Sequence, residues 1–301
     1  MNNRRKLVVA LGAGTLAWTC TLHAQAPARV LRIGVLSPFS PSESAQALQS
    51  GLRERGWVEG KNLSIDYRYA DGRSDRLPAL ATDLIGLQID VIVTVTSPAA
   101  LAAQKVTKVI PIVMAAAGEP VSSGLVESLA RPGGNITGLS QMAFELGGKR
   151  LELLKEIVPK LSRVAVLWNP EARGSTLAWE ELQLPARQLS VQLHSLEVRT
   201  SDELDNAFED AIRARVGALV TGPDPVLFRQ LRRIADFAAK NGLPSIYHLS
   251  EFADAGGLLT YGTDRTEMFR QAATYVDKIF KGAKAADLPV EQRQNSSWWS
   301  I

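Results

Sequence analysis

The chain has almost no cysteine and little histidine. Cys20 is the only cysteine among 301 residues, and the histidines are His23, His194 and His248. One cysteine cannot form a disulfide within the chain or a cysteine-based metal site. His194 and His248 lie far apart in sequence and lack the spacing of metal ligands. We therefore expect no metal and no cofactor, and the stability of the fold must come from packing.

An excess of charge of one sign is also missing. The chain has 34 Lys and Arg against 31 Asp and Glu, and three of the basic residues fall at positions 4–6. Beyond residue 28 the basic and acidic residues are therefore equal in number. Nucleic-acid binding needs clustered Lys and Arg that displace counterions from phosphates. We expect no nucleic-acid partner.

The first 28 residues predict a secretory signal peptide. Basic residues 4–6 precede an apolar run at 7–18, and small residues at 24–28 offer cleavage sites. The run is shorter than the roughly 20 residues of a bilayer span, which favours a cleaved leader over an uncleaved anchor. The arginine pair also matches a twin-arginine signal loosely, so the export route stays open. The sequence predicts a periplasmic protein.

Apolar segments rich in β-branched residues alternate with segments of helical period. The strands are predicted at residues 30–36, 63–69, 91–95, 110–114, 164–168, 191–198, 218–220, 245–247 and 257–261. Helices are predicted at residues 42–56, 75–87, 144–158, 201–214 and 225–241. Strands such as 91–93 are apolar on both faces, as parallel strands covered by helices require. The turn-rich residues 130–138 interrupt the alternation and are interpreted as a crossing between two domains. We predict an α/β fold of two lobes, each with a doubly wound, mainly parallel sheet, and a ligand cleft between them.

Polar residues follow many of the predicted strands. Ligands of parallel sheets bind beyond the carboxyl ends of the strands, where helix N-termini also offer N–H donors. The candidate ligand-binding residues at these strand exits are Ser37, Thr96, Ser97, Glu119, Asn169, Asp224, Tyr261 and Asp264. The Ser, Thr, Asn and Asp residues among them are also typical helix caps, and capping is compatible with binding.

Four aromatic residues lie at strand ends: Phe39, Trp168, Tyr247 and Tyr261. They are candidates for the wall of an apolar ligand site, although Trp168 and Tyr247 can equally lie beneath the cleft. No sequence element indicates catalysis. A dinucleotide-like glycine pattern falls inside the leader, and no P-loop, HExxH or GxSxG element occurs. Glu119, Asp224 and Asp264 come from separate strand exits with no spacing typical of a catalytic pair.

Several long blocks resemble one protein family. They are IGVLS at 33–37, GLRERGWVEGKN at 51–62 and ESLARPGGNITG at 127–138, with shorter blocks VAVLWNP at 164–170 and GGLLTYG at 256–262. Over about residues 30–291 the chain resembles the periplasmic substrate-binding proteins of ABC transporters of the tryptophan/tyrosine type.

The resemblance implies a monomeric, type I-like binder whose lobes close on a small solute and deliver it to an inner-membrane ABC permease. It implies three crossings between the lobes: an N-terminal lobe at 29–139 with a return segment at about 263–292, and a C-terminal lobe at 140–262. An aromatic amino acid would be held by hydroxyls and N–H groups on its carboxylate, a Glu or Asp on its ammonium and an apolar wall.

The residues after 292 depart from the resemblance. Relatives continue with a further strand and helix, whereas this chain reads RQNSSWWSI at 293–301. This tail is atypical, and loss of a terminal strand would leave an open sheet edge. Two other functions stay open: a sensory module of the same fold that engages a receptor, and an exported α/β enzyme in which Glu119 or Asp224 would be needed for turnover.

Overall fold

The structure is a computed structural model that describes residues 29–39, 43–141, 146–293 and 296–300. The predicted signal peptide and Cys20 lie outside the described residues. Within them the strands form two six-stranded sheets, one in each lobe.

The sheet of the first lobe is wholly parallel. Its strands are β1 (Leu31–Ser37), β2 (Leu63–Tyr69), β3 (Val91–Thr94), β4 (Ile112–Ala117), β5 (Ile136–Gln141) and β11 (Glu291–Arg293). They lie in the order β11-β5-β4-β3-β1-β2.

The sheet of the second lobe has one antiparallel strand at its edge. Its strands are β6 (Arg163–Trp168), β7 (Gln192–Glu197), β8 (Ala218–Thr221), β9 (Ser245–Tyr247), β10 (Leu259–Thr263) and β12 (Ser296–Ser300). Their order is β12-β10-β9-β8-β6-β7, and β12 pairs antiparallel with β10. Part of the atypical tail therefore covers an edge of this sheet.

Helices cover both faces of each sheet. Those of the first lobe are α1 (Glu43–Glu54), α2 (Leu77–Gly86), α3 (Ser97–Val106) and, from late in the chain, α10 (Arg265–Phe280). Those of the second lobe are α4 (Gly147–Ile157), α5 (Arg173–Gln188), α6 (Leu204–Arg213), α7 (Pro225–Arg229), α8 (Leu231–Lys240) and α9 (Glu251–Asp254). No helix in the described part of the chain is both long and apolar enough to cross a membrane.

Burial on both faces of the central strands confirms the predicted doubly wound sheets. In β1, Ile33 and Val35 pack in a core that includes residues of α1 and α10. Leu36 belongs to the core on the opposite face, which includes residues of α2 and α3. The second lobe likewise has two cores, one on each side of β6. With both faces of each sheet covered by helices, a ligand site is expected in the loops beyond the carboxyl ends of the parallel strands.

The structure corrects one part of the sequence interpretation. Residues 136–138 belong to β5, an interior strand beside β4, whereas the sequence pattern indicated a crossing between domains there. Gly138 has φ of 125°, and a Cβ at this position would collide with the backbone of Met114. Only glycine fits this close approach, so a residue typical of turns lies within the strand. The chain leaves the first lobe between β5 and α4.

Candidate functional site

A cavity of about 1000 Å³ lies between the two lobes. The first lobe lines it with residues that follow β1, β3 and β4, and the second lobe with residues that follow β6, β8 and β9. The cavity is therefore at the carboxyl ends of the parallel strands, where ligands of such sheets bind.

Most of the predicted site residues line this cavity: Phe39, Thr96, Ser97, Glu119, Asn169 and Asp224. The others do not. Ser37 accepts a hydrogen bond at Oγ from the backbone N–H of Phe39 at 3.0 Å, in the turn after β1. Asp264 caps α10 by accepting at Oδ1 from the backbone N–H of Glu267 at 3.0 Å.

Two predicted aromatic residues pack away from the cavity. Tyr247 is fully buried and stacks on Phe252 with ring centroids 4.2 Å apart. Tyr261 packs against a core of the second lobe, and its carbonyl accepts a hydrogen bond from Arg150. Trp168 is buried as well, stacked on Trp179. Of the two locations considered for Tyr247 and Trp168, the structure shows the one outside the cavity lining.

The polar groups at the start of α3 are already hydrogen-bonded. Thr96 is the N-cap, and its Oγ1 accepts from the backbone N–H of Ala99 at 3.4 Å. Ser97 Oγ donates to the carbonyl of Gly118 at 2.5 Å, and Pro98 has no N–H. This helix end therefore offers few free donors to a ligand.

Glu119 is held in a tight turn after β4. Its φ is 45°, in the left-handed region, and its carbonyl accepts from the backbone N–H and Oγ of Ser123. Its Oε2 accepts from Ser122 Oγ at 3.3 Å. The turn thus brings a carboxylate and two hydroxyls to the cavity.

Asp224 is a buried carboxylate at the start of α7. Its Oδ1 accepts from the backbone N–H groups of Val226 and Leu227 at 2.7 and 3.3 Å, and its Oδ2 accepts from Asn169 Nδ2 at 3.0 Å. All three donors are neutral. Burial raises the pKa of Asp224 above its ordinary value, although these hydrogen bonds act in the opposite direction. A cation beside Asp224 would stabilise the ionised form.

Two phenylalanines and an arginine join the lobes across the cavity. Phe39 of the first lobe and Phe228 of α7 have ring centroids 4.4 Å apart. The guanidinium of Arg265 lies 5.4 Å from the ring centroid of Phe39 and 5.8 Å from that of Phe228. Arg265 Nη1 donates to Oε1 of Glu251, on α9, at 2.9 Å.

Sequence reasoning missed Phe228 and Arg265. Phe228 lies within a predicted helix, and Arg265 directly follows the candidate Asp264. The position of Arg265 next to a strand exit was the available sequence signal for a role in the site.

His248 follows β9 and also lines the cavity. It is buried, and its Nδ1 has no hydrogen-bond partner within the described part of the chain. Burial, with the nearby guanidinium groups of Arg150 and Arg265, lowers the pKa of His248 to about 3. The imidazole is therefore neutral at neutral pH. Among the described residues, no cluster of three or more His, Cys, Asp or Glu side chains is arranged to hold a metal ion.

Comparison with known proteins places this architecture in one family. The family model described as ABC transporter substrate binding protein matches residues 33–299. The chain belongs to this family. It is a substrate-binding component of an ABC transporter, with the two-lobed type I periplasmic binding fold.

Individual relatives of this substrate-binding protein cover most of its length. A tyrosine-binding protein of Clostridioides difficile (strain R20291) is 27% identical over 239 residues, which are 79% of this chain and 68% of that protein. A conserved domain protein of Vibrio cholerae has 27% identity and a TM-score of 0.85, covering 90% of this chain and 92% of that one. A Streptococcus pneumonia ABC domain crystallised with L-Trp shares the fold, with 24% identity and a TM-score of 0.78 over 88% and 91% of the two chains.

Proposed function

We propose that this protein is the periplasmic solute-binding component of an ABC importer and that its lobes close on an aromatic amino acid. The observation that carries the proposal is the cavity between the lobes, which aromatic rings from both lobes line. The tyrosine-binding relative supports the ligand class. The volume of the cavity lies at the upper end of the roughly 300–1000 Å³ typical of small-molecule sites.

Asp224 is suited to bind the ammonium group of an amino acid. Asp224 lines the cavity and is 7% exposed, and among the described residues its carboxylate accepts hydrogen bonds only from neutral donors. A buried carboxylate without a cation is unfavourable, so a ligand ammonium would relieve an existing cost. Glu119 provides a second carboxylate on the opposite lobe.

Lobe closure is supported by contacts that cross the cavity. Phe39 packs on Phe228, and the side chain of Arg229 lies against Gly72 of the first lobe. These contacts require the lobes to be close together, and they would separate in an open form. A ligand that contacts both lobes would favour the closed form, which a permease can recognise. We propose no catalytic activity for this site.

A thermal melt tests the ligand class. The purified protein is melted alone and with tryptophan, tyrosine, phenylalanine, branched-chain amino acids, sugars or unrelated carboxylic acids. A ligand at about 100 times its Kd stabilises the folded state by about 2.7 kcal/mol, which raises Tm by several degrees.

We expect the aromatic amino acids to raise Tm and the sugars to leave it unchanged. The Asp224→Asn variant should lose most of the shift, because the amide does not attract an ammonium. A shift with sugars or branched-chain amino acids alone would contradict the aromatic assignment.

A further inference from the structure

Arg265 has donors that the protein does not use. Its guanidinium carries five N–H donors, of which Nη1 donates to Glu251. Nε and Nη2 have no acceptor among the described residues, and Arg265 lines the cavity. Its side chain is 8% exposed, so these donors are held where water is scarce.

The other arginines that line the cavity are exposed: Arg73, Arg173, Arg199 and Arg229. Arg73 pairs with Asp75, and Arg199 pairs with Glu197. Charge pairs formed in water contribute little to binding, whereas a pair formed in a partly desolvated site contributes much more. Arg265 is therefore the cation of this lining best placed to bind an anionic group of a ligand.

Two of the helix ends around the cavity, those of α7 and α3, offer few backbone donors to such a group. At the start of α7, Pro225 lacks an N–H and the next two N–H groups donate to Asp224. At the start of α3, Thr96 accepts from Ala99, and Pro98 again removes a donor. Backbone donors alone would thus bind a carboxylate poorly at these helix ends.

We propose that Arg265 binds the carboxylate of the amino-acid ligand, with Phe39 and Phe228 packing on its guanidinium and Glu251 fixing its orientation. This inference rests on the proposed function and assigns one residue of that site. Arg265 contacts Phe228, which lies one helical turn along α7 from Asp224. In this proposal the amino acid connects α10 of the first lobe, through its carboxylate, with Asp224 of the second lobe, through its ammonium.

The test compares an acid with its uncharged amide. Calorimetry measures the affinity of the wild-type protein and of Arg265→Gln for L-tyrosine and L-tryptophan and for L-tyrosinamide and L-tryptophanamide. Arg270→Gln is the matched control, because Arg270 is on the same helix and pairs with Glu54 at 2.9 Å but is exposed and does not line the cavity.

We expect Arg265→Gln to weaken binding of the acid by about 10- to 100-fold, the range for a charge-assisted hydrogen-bond pair. Binding of the amide should change by no more than about twofold, and Arg270→Gln should leave both affinities unchanged. An equal loss for acid and amide would assign Arg265 a structural role only and overturn the proposal, as would an unchanged affinity for the acid.

A second variant covers a failure of Arg265→Gln to fold. Arg265→Lys keeps the charge but loses the planar pair of donors, so the ratio of acid to amide affinity should fall. An unchanged ratio would overturn the proposal.

The solute panel separates the two hypotheses. If the wild-type protein binds a carboxylic acid that is not aromatic, the ligand class proposed above is wrong, and Arg265 is tested with that acid and its amide. If no carboxylate solute binds, the assignment of Arg265 is overturned.

Discussion

Burial of His248 predicts a loss of stability in mild acid. His248 is 8% exposed, and its ring lies near the guanidinium groups of Arg150 on α4 and Arg265 on α10. Its pKa in the folded protein is lowered to about 3 from an ordinary value of 6.5. Between these values the unfolded chain binds a proton that the folded protein does not. Stability therefore falls as the pH falls below 6.5.

The size of the effect follows from the two pKa values. At pH 5 the unfolded state gains about 2 kcal/mol from protonation of His248, whereas at pH 7.5 it gains almost nothing. For a protein of this size, about 2 kcal/mol corresponds to a decrease in Tm of about 4–8 °C. The free energy comes from one side chain, so a single substitution should remove it.

Thermal and urea unfolding at pH 7.5 and 5.0 measure the effect in the wild-type protein, in His248→Gln and in His194→Gln. His194 is the matched control, because it lies on β7, is more exposed and contacts Asp210 at 2.8 Å. The loss of stability between the two pH values should be about 2 kcal/mol smaller in His248→Gln than in the wild type. Since His194→Gln retains His248, it should retain this acid-sensitive contribution. An equal loss in His248→Gln and the wild type would refute the reasoning.

Three further substitutions, two of them with a control variant, test other parts of the structure. Asp224→Ala should lower the free energy of unfolding by about 2–3 kcal/mol in a urea titration, because it removes a helix cap and leaves the side-chain amide of Asn169 without its acceptor. The control Asp264→Ala removes only a helix cap and should lower the free energy of unfolding by about 1 kcal/mol. A methyl group at Gly138 should cost about 3 kcal/mol or more in the same assay, whereas Gly134→Ala, which meets open space, should cost little. Phe228→Ala should weaken tyrosine binding in calorimetry, and tyrosine should raise its Tm by less than it raises the Tm of the wild type. An unchanged affinity would exclude Phe228 from the site.

Sequence patterns predicted most of the strands, because a short run of apolar residues is enough to indicate a buried strand. Val91, Ile92 and Val93 are apolar on both faces, and all are fully buried in β3. β5 was missed because Gly138 is a turn signal in sequence, while its need for glycine arises from the neighbouring strand β4. A close approach between two strands distant in sequence leaves no local pattern.

The same reliance on local patterns explains which site residues could be predicted. Thr96, Asn169 and Asp224 were accessible to prediction, because the carboxyl end of a parallel strand indicates where a ligand binds. Tyr247 was ambiguous, since a residue at a strand end faces either the core or the cavity. The contact of Arg265 with Phe228 depends on how two lobes meet, which no short segment encodes.

The position of α10 also affects the order in which parts of the chain can fold. Gly51 of α1 lies so close to the backbone of Arg270 that a Cβ there would collide with it, and Phe269 and Val276 complete the core beneath β1. A chain that emerges amino end first cannot finish its first lobe until residues beyond 265 arrive, whereas most of the second lobe lies in one continuous stretch. The first lobe therefore depends on contacts between segments more than 200 residues apart, and contacts of such long sequence separation slow folding.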